Sequence, residues 1–137
     1  MHKKIKKGIS PNKLNSLLKK WQKKLLLTDW DLSLEFVDFT RKPHQSKNFK
    51  QSGDFKADIT KKKAIILMAK NPPQDDEEYT LLHEMIHILV WNLDNYTEET
   101  ILKKYKYYGN VHGEYLGKLE DLVHHLTKIL LGRSCGK

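Results

Sequence analysis

The stretch Thr80 to Trp91, TLLHEMIHILVW, constrains this chain more than any other part of it. At about 100° per residue, His83 and His87 fall about 40° apart on one helix face and one turn from each other, so two imidazole nitrogens can converge on one ion. Glu84 sits next round the helix. It is too offset to join both imidazoles as a ligand, yet close enough to take a proton from a water on the metal. Seven His and eight Glu in 137 residues make this spacing a chance event of roughly 0.02 per chain. Apolar residues fill most other positions from Leu81 to Trp91, so the helix needs burial nearly all round, and two His and a Glu within it need partners. A pair of core histidines satisfied by protein neighbours is the alternative. The metal reading makes His83 and His87 ligands of a Zn2+ cofactor and Glu84 a general base.

The length suits one domain over residues 1–137, with a basic tail at 1–9 and a polar tail at 132–137. Cys135 is the single cysteine, which excludes a disulfide framework and points to a reducing, cytoplasmic setting. Met1 to Lys7 lacks the apolar segment of a signal peptide. No apolar run approaches the roughly 20 residues of a membrane span, so no membrane partner is expected.

The net charge of +8 is unevenly spread: residues 1–24 hold nine Lys and no acid, and the remainder sums to −1. Within that basic end Ser10 can cap a helix that starts with Pro11. Leu14, Leu17, Leu18, Trp21 and Leu25 form its apolar stripe, with lysines opposite. Those lysines are either a solvated face or a phosphate-contacting surface that gives the chain a nucleic-acid partner.

Leu32, Leu34 and Phe36 alternate with Ser33, Glu35 and Val37 as in a half-buried strand. Residues 40–53 are polar and irregular, a mobile connection with His44 solvated. Phe55, Ala57 and Ile59 alternate again, Thr60-Lys61-Lys62 makes a turn, and Ala64 to Ala69 is an apolar run of strand length. Asn71-Pro72-Pro73 closes this small sheet. The acids Asp75 to Glu78 then suit the positive end of the motif helix. The strand around Ile65 to Met68 is the expected partner for an extended peptide beside the cleft.

The motif helix is expected to end at Asp94-Asn95. Thr97 then caps a helix running to about Tyr108, with Gly109-Asn110 interrupting it. Leu116, Leu119, Val123, Leu126 and Leu130 recur at helical spacing in a last helix ending near Gly132. Glu120 lies about 90° or less from the centre of that stripe, at its core edge, where a half-buried carboxylate needs a cation. This makes Glu120 the third metal ligand. Asp121, His124 and His125 turn progressively away. His112, in a Gly-flanked break, is the alternative ligand. Tyr105, Tyr107, Tyr108 and Tyr115 are packing residues, one of which could face the metal and donate to a developing oxyanion.

A basic helix, a strand opening on Trp30-Asp31, a short sheet, LLHEMIH and then Leu119-Glu120-Asp121-Leu122-Val123 together resemble the small phage and prophage zinc metallopeptidases of the gluzincin type (minigluzincin-like). The likeness covers residues 12–131. It implies a zincin-like fold and matches Glu120 as third ligand. Thermolysin-like members carry Asp four residues after this Glu, where His124 stands here. The segment His112-Gly113-Glu114-Tyr115 resembles the SprT-like proteases, which associate with DNA and would make His112 the ligand. Val90 and Leu93 stand where a metzincin has Gly and His. The reading as a whole is an α+β domain: about three strands packed against the HExxH helix and a C-terminal helix, hydrolysing peptide bonds with zinc. The competing class is a nucleic-acid-binding module with a structural zinc site.

Overall fold

Ser10 opens the first helix as its sequence requires: its Oγ accepts a hydrogen bond from Lys13 N, and Pro11 occupies the first turn. The computed structural model of the chain describes residues 10–40, 51–70 and 76–132. Its elements follow as α1 (Pro11–Lys24), β1 (Asp31–Val37), β2 (Gly53–Asp58), β3 (Lys63–Ala69), α2 (Glu77–Leu89), α3 (Trp91–Leu102) and α4 (Asn110–Leu130). This is an α+β arrangement of three strands and four helices among the described residues. The expectations for residues 1–9, 41–50 (with His44), 71–75 and 133–137 (with Cys135) lie outside them.

The sheet has the order β1-β3-β2, with β1 parallel and β2 antiparallel to β3. The period-2 pattern of each strand puts Leu32, Leu34 and Phe36 of β1 on the same face as Ala64, Ile66 and Met68 of β3 and Phe55 and Ala57 of β2. That face packs on α2, whose Leu81, Leu82, Met85, Ile86 and Ile88 are all buried. Each such side chain contributes about 1.5–3 kcal/mol of burial. The expected turn forms at Ile59 to Lys62, where Lys62 adopts a φ of 47°.

One expectation is overturned here. β3 is the central strand, hydrogen-bonded on both sides, so it cannot take up a further strand. β2 is the edge that lies against α2, and it pairs with no second strand among the described residues.

Helix α1 lays Leu14, Leu18 and Trp21 into the core and leaves Lys13, Lys19, Lys20, Lys23 and Lys24 exposed. Trp21 Nε1 donates to Glu78 Oε2 at 2.8 Å, so a first-turn acid of α2 also ties the two helices. Asp76 caps α2, accepting from Tyr79 N at 3.1 Å.

Helix α2 ends at Leu89, earlier than the expected Asp94-Asn95. Val90 rotates to ψ 3° and α3 starts at once, Asp94 N donating to Val90 O. No Gly or Pro marks this break. Trp91 stands at it, packed edge-on to Phe55 of β2 with ring centroids 5.3 Å apart, so the turn serves a tertiary contact. Thr97 is not a cap: it lies inside α3 and its Oγ1 donates back to Leu93 O. The helix stops at Leu102 rather than near Tyr108, and α4 runs antiparallel to α2 and α3 and packs on both. No helix among the described residues is long and apolar enough to cross a membrane.

Candidate metal centre

On α2, Tyr79, His83 and His87 follow one another at one-turn spacing, facing α4. A ladder of polar pairs joins α4 to α2 and on to α3. Tyr79, His83 and His87 of α2 meet His124 and Glu120, the last taking both imidazoles, while Asp94 and Glu98 of α3 meet Tyr115 and His112. In the middle of it, His83 Nε2 is 3.1 Å from Glu120 Oε2 and His87 Nε2 is 2.7 Å from Glu120 Oε1. The three donor atoms all lie within 4.8 Å of one another, and together they could hold a metal ion.

The donor set fits one. Two imidazole nitrogens and a carboxylate at about 2.0–2.2 Å from a shared tetrahedral ion would lie about 3.3–3.6 Å apart, within the 4.8 Å that bounds the three donor atoms here. His83 Nδ1 is buried and has no hydrogen-bond partner among the described residues. An imidazole so placed has only its Nε2 side engaged, and that side faces the carboxylate.

Electrostatics follow from this packing. Hydrogen bonds from His83 and His87 hold the Glu120 carboxyl well below the usual carboxylate range. Burial works against a charged His87, but the bond to Glu120 and the charges of Glu84, Glu120 and Asp94 outweigh it and raise its pKa. Glu84 is buried and raised to about 7, chiefly by that burial, with the two imidazoles opposing and Asp54 and Glu120 adding. A carboxyl that titrates there is matched to proton transfer at neutral pH. Phe55 of β2 stacks on His87, with centroids 5.5 Å apart and planes at 17°, fixing that ring from above.

The residues expected at the site are thus brought together: His83, His87 and Glu120 converge, with Glu84 beside them. Glu120 is more exposed than expected, its side chain being 57% accessible, because it reaches out across the groove between α2 and α4. His112 stands apart from the group. It is fully buried, with Nδ1 accepting from Tyr108 N at 2.9 Å and Nε2 bonded to Glu98 at 3.0 Å. Tyr115, one of the tyrosines considered for an oxyanion, has its hydroxyl committed to Asp94 at 2.5 Å; burial and that bond raise its pKa. The sequence reading missed the Tyr79–His124 contact. The spacing of four residues from Tyr79 to His83 and from Glu120 to His124 is the signal that carried it. No protein family matches the chain, and no curated protein or solved structure matches it either.

Proposed function

We propose that this chain is a zinc-dependent metallopeptidase of gluzincin-like type, zincin-like in fold. The observation that supports it best is the convergence of His83, His87 and Glu120 beside the buried Glu84, against β2, whose outer edge pairs with no strand among the described residues. Two His and one Glu are the ligand set of catalytic rather than structural zinc, which closes four protein ligands. A zinc ion held there would polarise the scissile carbonyl and acidify a water. Glu84 takes the water proton as oxygen bonds to the carbonyl carbon, then delivers it to the amine as the carbon–nitrogen bond breaks. β2, whose outer edge pairs with no strand among the described residues, would offer that edge to an extended peptide, the role expected of β3. The single cysteine goes with a cytoplasmic setting for this activity.

The test is to load the protein with zinc and follow cleavage of unfolded protein substrates. Wild type should cleave, and a chelator should stop it. Glu84→Gln should retain zinc and fold while losing cleavage by at least a hundredfold, the general-base contribution being about 10²–10⁴. Undiminished cleavage by Glu84→Gln would remove Glu84 from the reaction.

A second reading is a nucleic-acid-binding module. It is favoured by α1, on which Lys13, Lys19, Lys23 and Lys24 are exposed with no carboxylate partner among the described residues. Lys20 and Lys24 lie over the Trp21 ring, 5.0 and 5.1 Å from its centroid, which orders them. The two readings are compatible, since these lysines lie on α1 whereas the His83, His87 and Glu120 group belongs to α2 and α4.

A further inference from the structure

The edge of β2 that faces away from β3 begins in direct contact with the candidate metal centre. A β-carbon on Gly53 would touch Glu84 at 3.2 Å, and the Phe55 ring stacks on His87 with centroids 5.5 Å apart. Ser52 O accepts from Ala69 N, so the even-numbered residues of β2 bond to β3, while Gly53, Phe55 and Ala57 turn their backbone groups to the outer edge. The chain's own side chains hold the first of these groups. Gln51 Nε2 donates to Gly53 O at 2.9 Å, and Phe55 N donates to Asp54 Oδ1 at 2.8 Å. An amide and a carboxylate thus stand where the backbone of an added strand would bond.

The side chains of Asp54, Lys56 and Asp58 lie on the sheet face opposite α2, since Phe55 and Ala57 between them pack on the core. Both acids are turned back on their own chain, Asp54 to Phe55 N and Asp58 Oδ1 to Lys61 N at 3.2 Å. Lys56 is exposed and has no carboxylate partner among the described residues. It borders a hollow of about 270 Å³ that Lys61, Lys63 and Asp58 also line, with Ile65 in its apolar wall. Neither Lys61 nor Lys63 has a carboxylate partner among the described residues either. Three lysines against one aspartate leave the hollow at +2. Such a group favours an anion, and the apolar wall suits the stem of a side chain that carries one. Its distance from the metal centre is set by the strand: Lys56 lies three residues beyond Gly53, about 10 Å at about 3.3 Å per residue.

We infer that Lys56, with Lys61 and Lys63, selects peptide substrates that carry an acidic side chain about three residues from the scissile bond, on a strand laid along the outer edge of β2. In that pairing the substrate residue beside Lys56 shares its sheet face, where an opposite charge is favoured and a like charge is not. This rests on the metallopeptidase reading.

The probes are fluorescein-labelled peptides of one sequence that carry Glu, Gln or Lys at a single position, which is moved along the peptide. Binding is read by anisotropy with zinc-loaded Glu84→Gln, which should hold peptide without cutting it, and cleavage with zinc-loaded wild type. At the position that responds, the Glu peptide should bind at least threefold more tightly than the Gln peptide, within what an exposed opposite-charge pair supplies, and the Lys peptide more weakly than both. Lys56→Glu should invert that order, Lys56→Gln should level it, and added salt should shrink it. Wild type should show the same order in kcat/KM. Peptides bound and cut without regard to charge, or an order untouched by Lys56→Glu, overturn this inference alone. Charge-ranked binding that wild type never follows with cleavage overturns the metallopeptidase reading and leaves Lys56 a peptide-binding residue. Protein that neither binds nor cuts any of the peptides overturns both.

Discussion

A β-carbon placed on Gly53 would lie 2.7 Å from Thr80 Cγ2 and 3.2 Å from Oε2 of Glu84. The first residue of β2 is thus pressed directly onto the side chain proposed as general base. Only glycine lets the strand approach so closely, and the same approach helps exclude water from Glu84.

Gly53→Val should therefore destabilise the protein by about 1–3 kcal/mol, the usual cost of forcing volume into a filled space, read from urea denaturation. Adding Thr80→Ala should recover part of the loss by removing the nearest atom. A double variant no more stable than Gly53→Val would show that the cost arises elsewhere.

Removing any one of His83, His87 or Glu120 by alanine should weaken zinc binding by at least a hundredfold in competition with a chromophoric chelator. His112→Ala should change it far less. Tight zinc in Glu120→Ala, with loss in His112→Ala, would transfer the third ligand to His112. Zinc affinity should also fall as pH drops, beginning above the ordinary histidine range because Glu120 helps His87 keep its proton.

The metal-free protein should show a pH dependence that belongs to Glu84. Its pKa rises from 4.5 to about 7 on folding, mainly through burial. Between those values the folded chain keeps the proton while the unfolded chain releases it. Stability from this group is full below pH 4.5 and is lost as pH rises towards 7, by up to about 3 kcal/mol at about 1.4 kcal/mol per pKa unit. Urea denaturation in chelator across that window should show the decline in wild type and a flatter profile in Glu84→Gln. Parallel profiles would place the titration on other groups.

Much of this was legible in the chain because local periodicity reports it. Leu32-Leu34-Phe36 and Phe55-Ala57 announce strands by alternation, and the α4 stripe puts Glu120 at the edge that meets α2. What could not be read depends on distant partners. The central place of β3 follows from a parallel pairing with β1 across the whole of β2. The break at Val90 lacks Gly or Pro and accompanies the Trp91–Phe55 contact. His112 stays open as the alternative ligand in the sequence because its Gly-flanked setting says nothing of Glu98, fourteen residues earlier, which occupies its Nε2.

If α1 contacts phosphates, binding to DNA or RNA at low salt should weaken steeply as salt rises, each neutralised phosphate contributing a slope of about −0.9 on duplex DNA. Charge reversal at Lys19, Lys20, Lys23 and Lys24 should abolish it without altering zinc content. Absence of binding at low salt would leave these lysines as a solvated face.

The α3–α4 connection separates two kinds of evolutionary freedom. His87 and Glu120 stand 33 positions apart with α3 between them, so an ion held there would act as a reversible crosslink over that span. Closing such a loop costs only about 0.6 kcal/mol more for each doubling of its length. Residues inserted around Lys103 to Lys106 would barely alter the grip on such an ion, whereas one inserted between Tyr108 and His112 would pull the Tyr108 N–H away from His112 Nδ1. Lineages carrying this fold could therefore lengthen the segment before Tyr108 while the group formed by His83, His87 and Glu120 stays where it is.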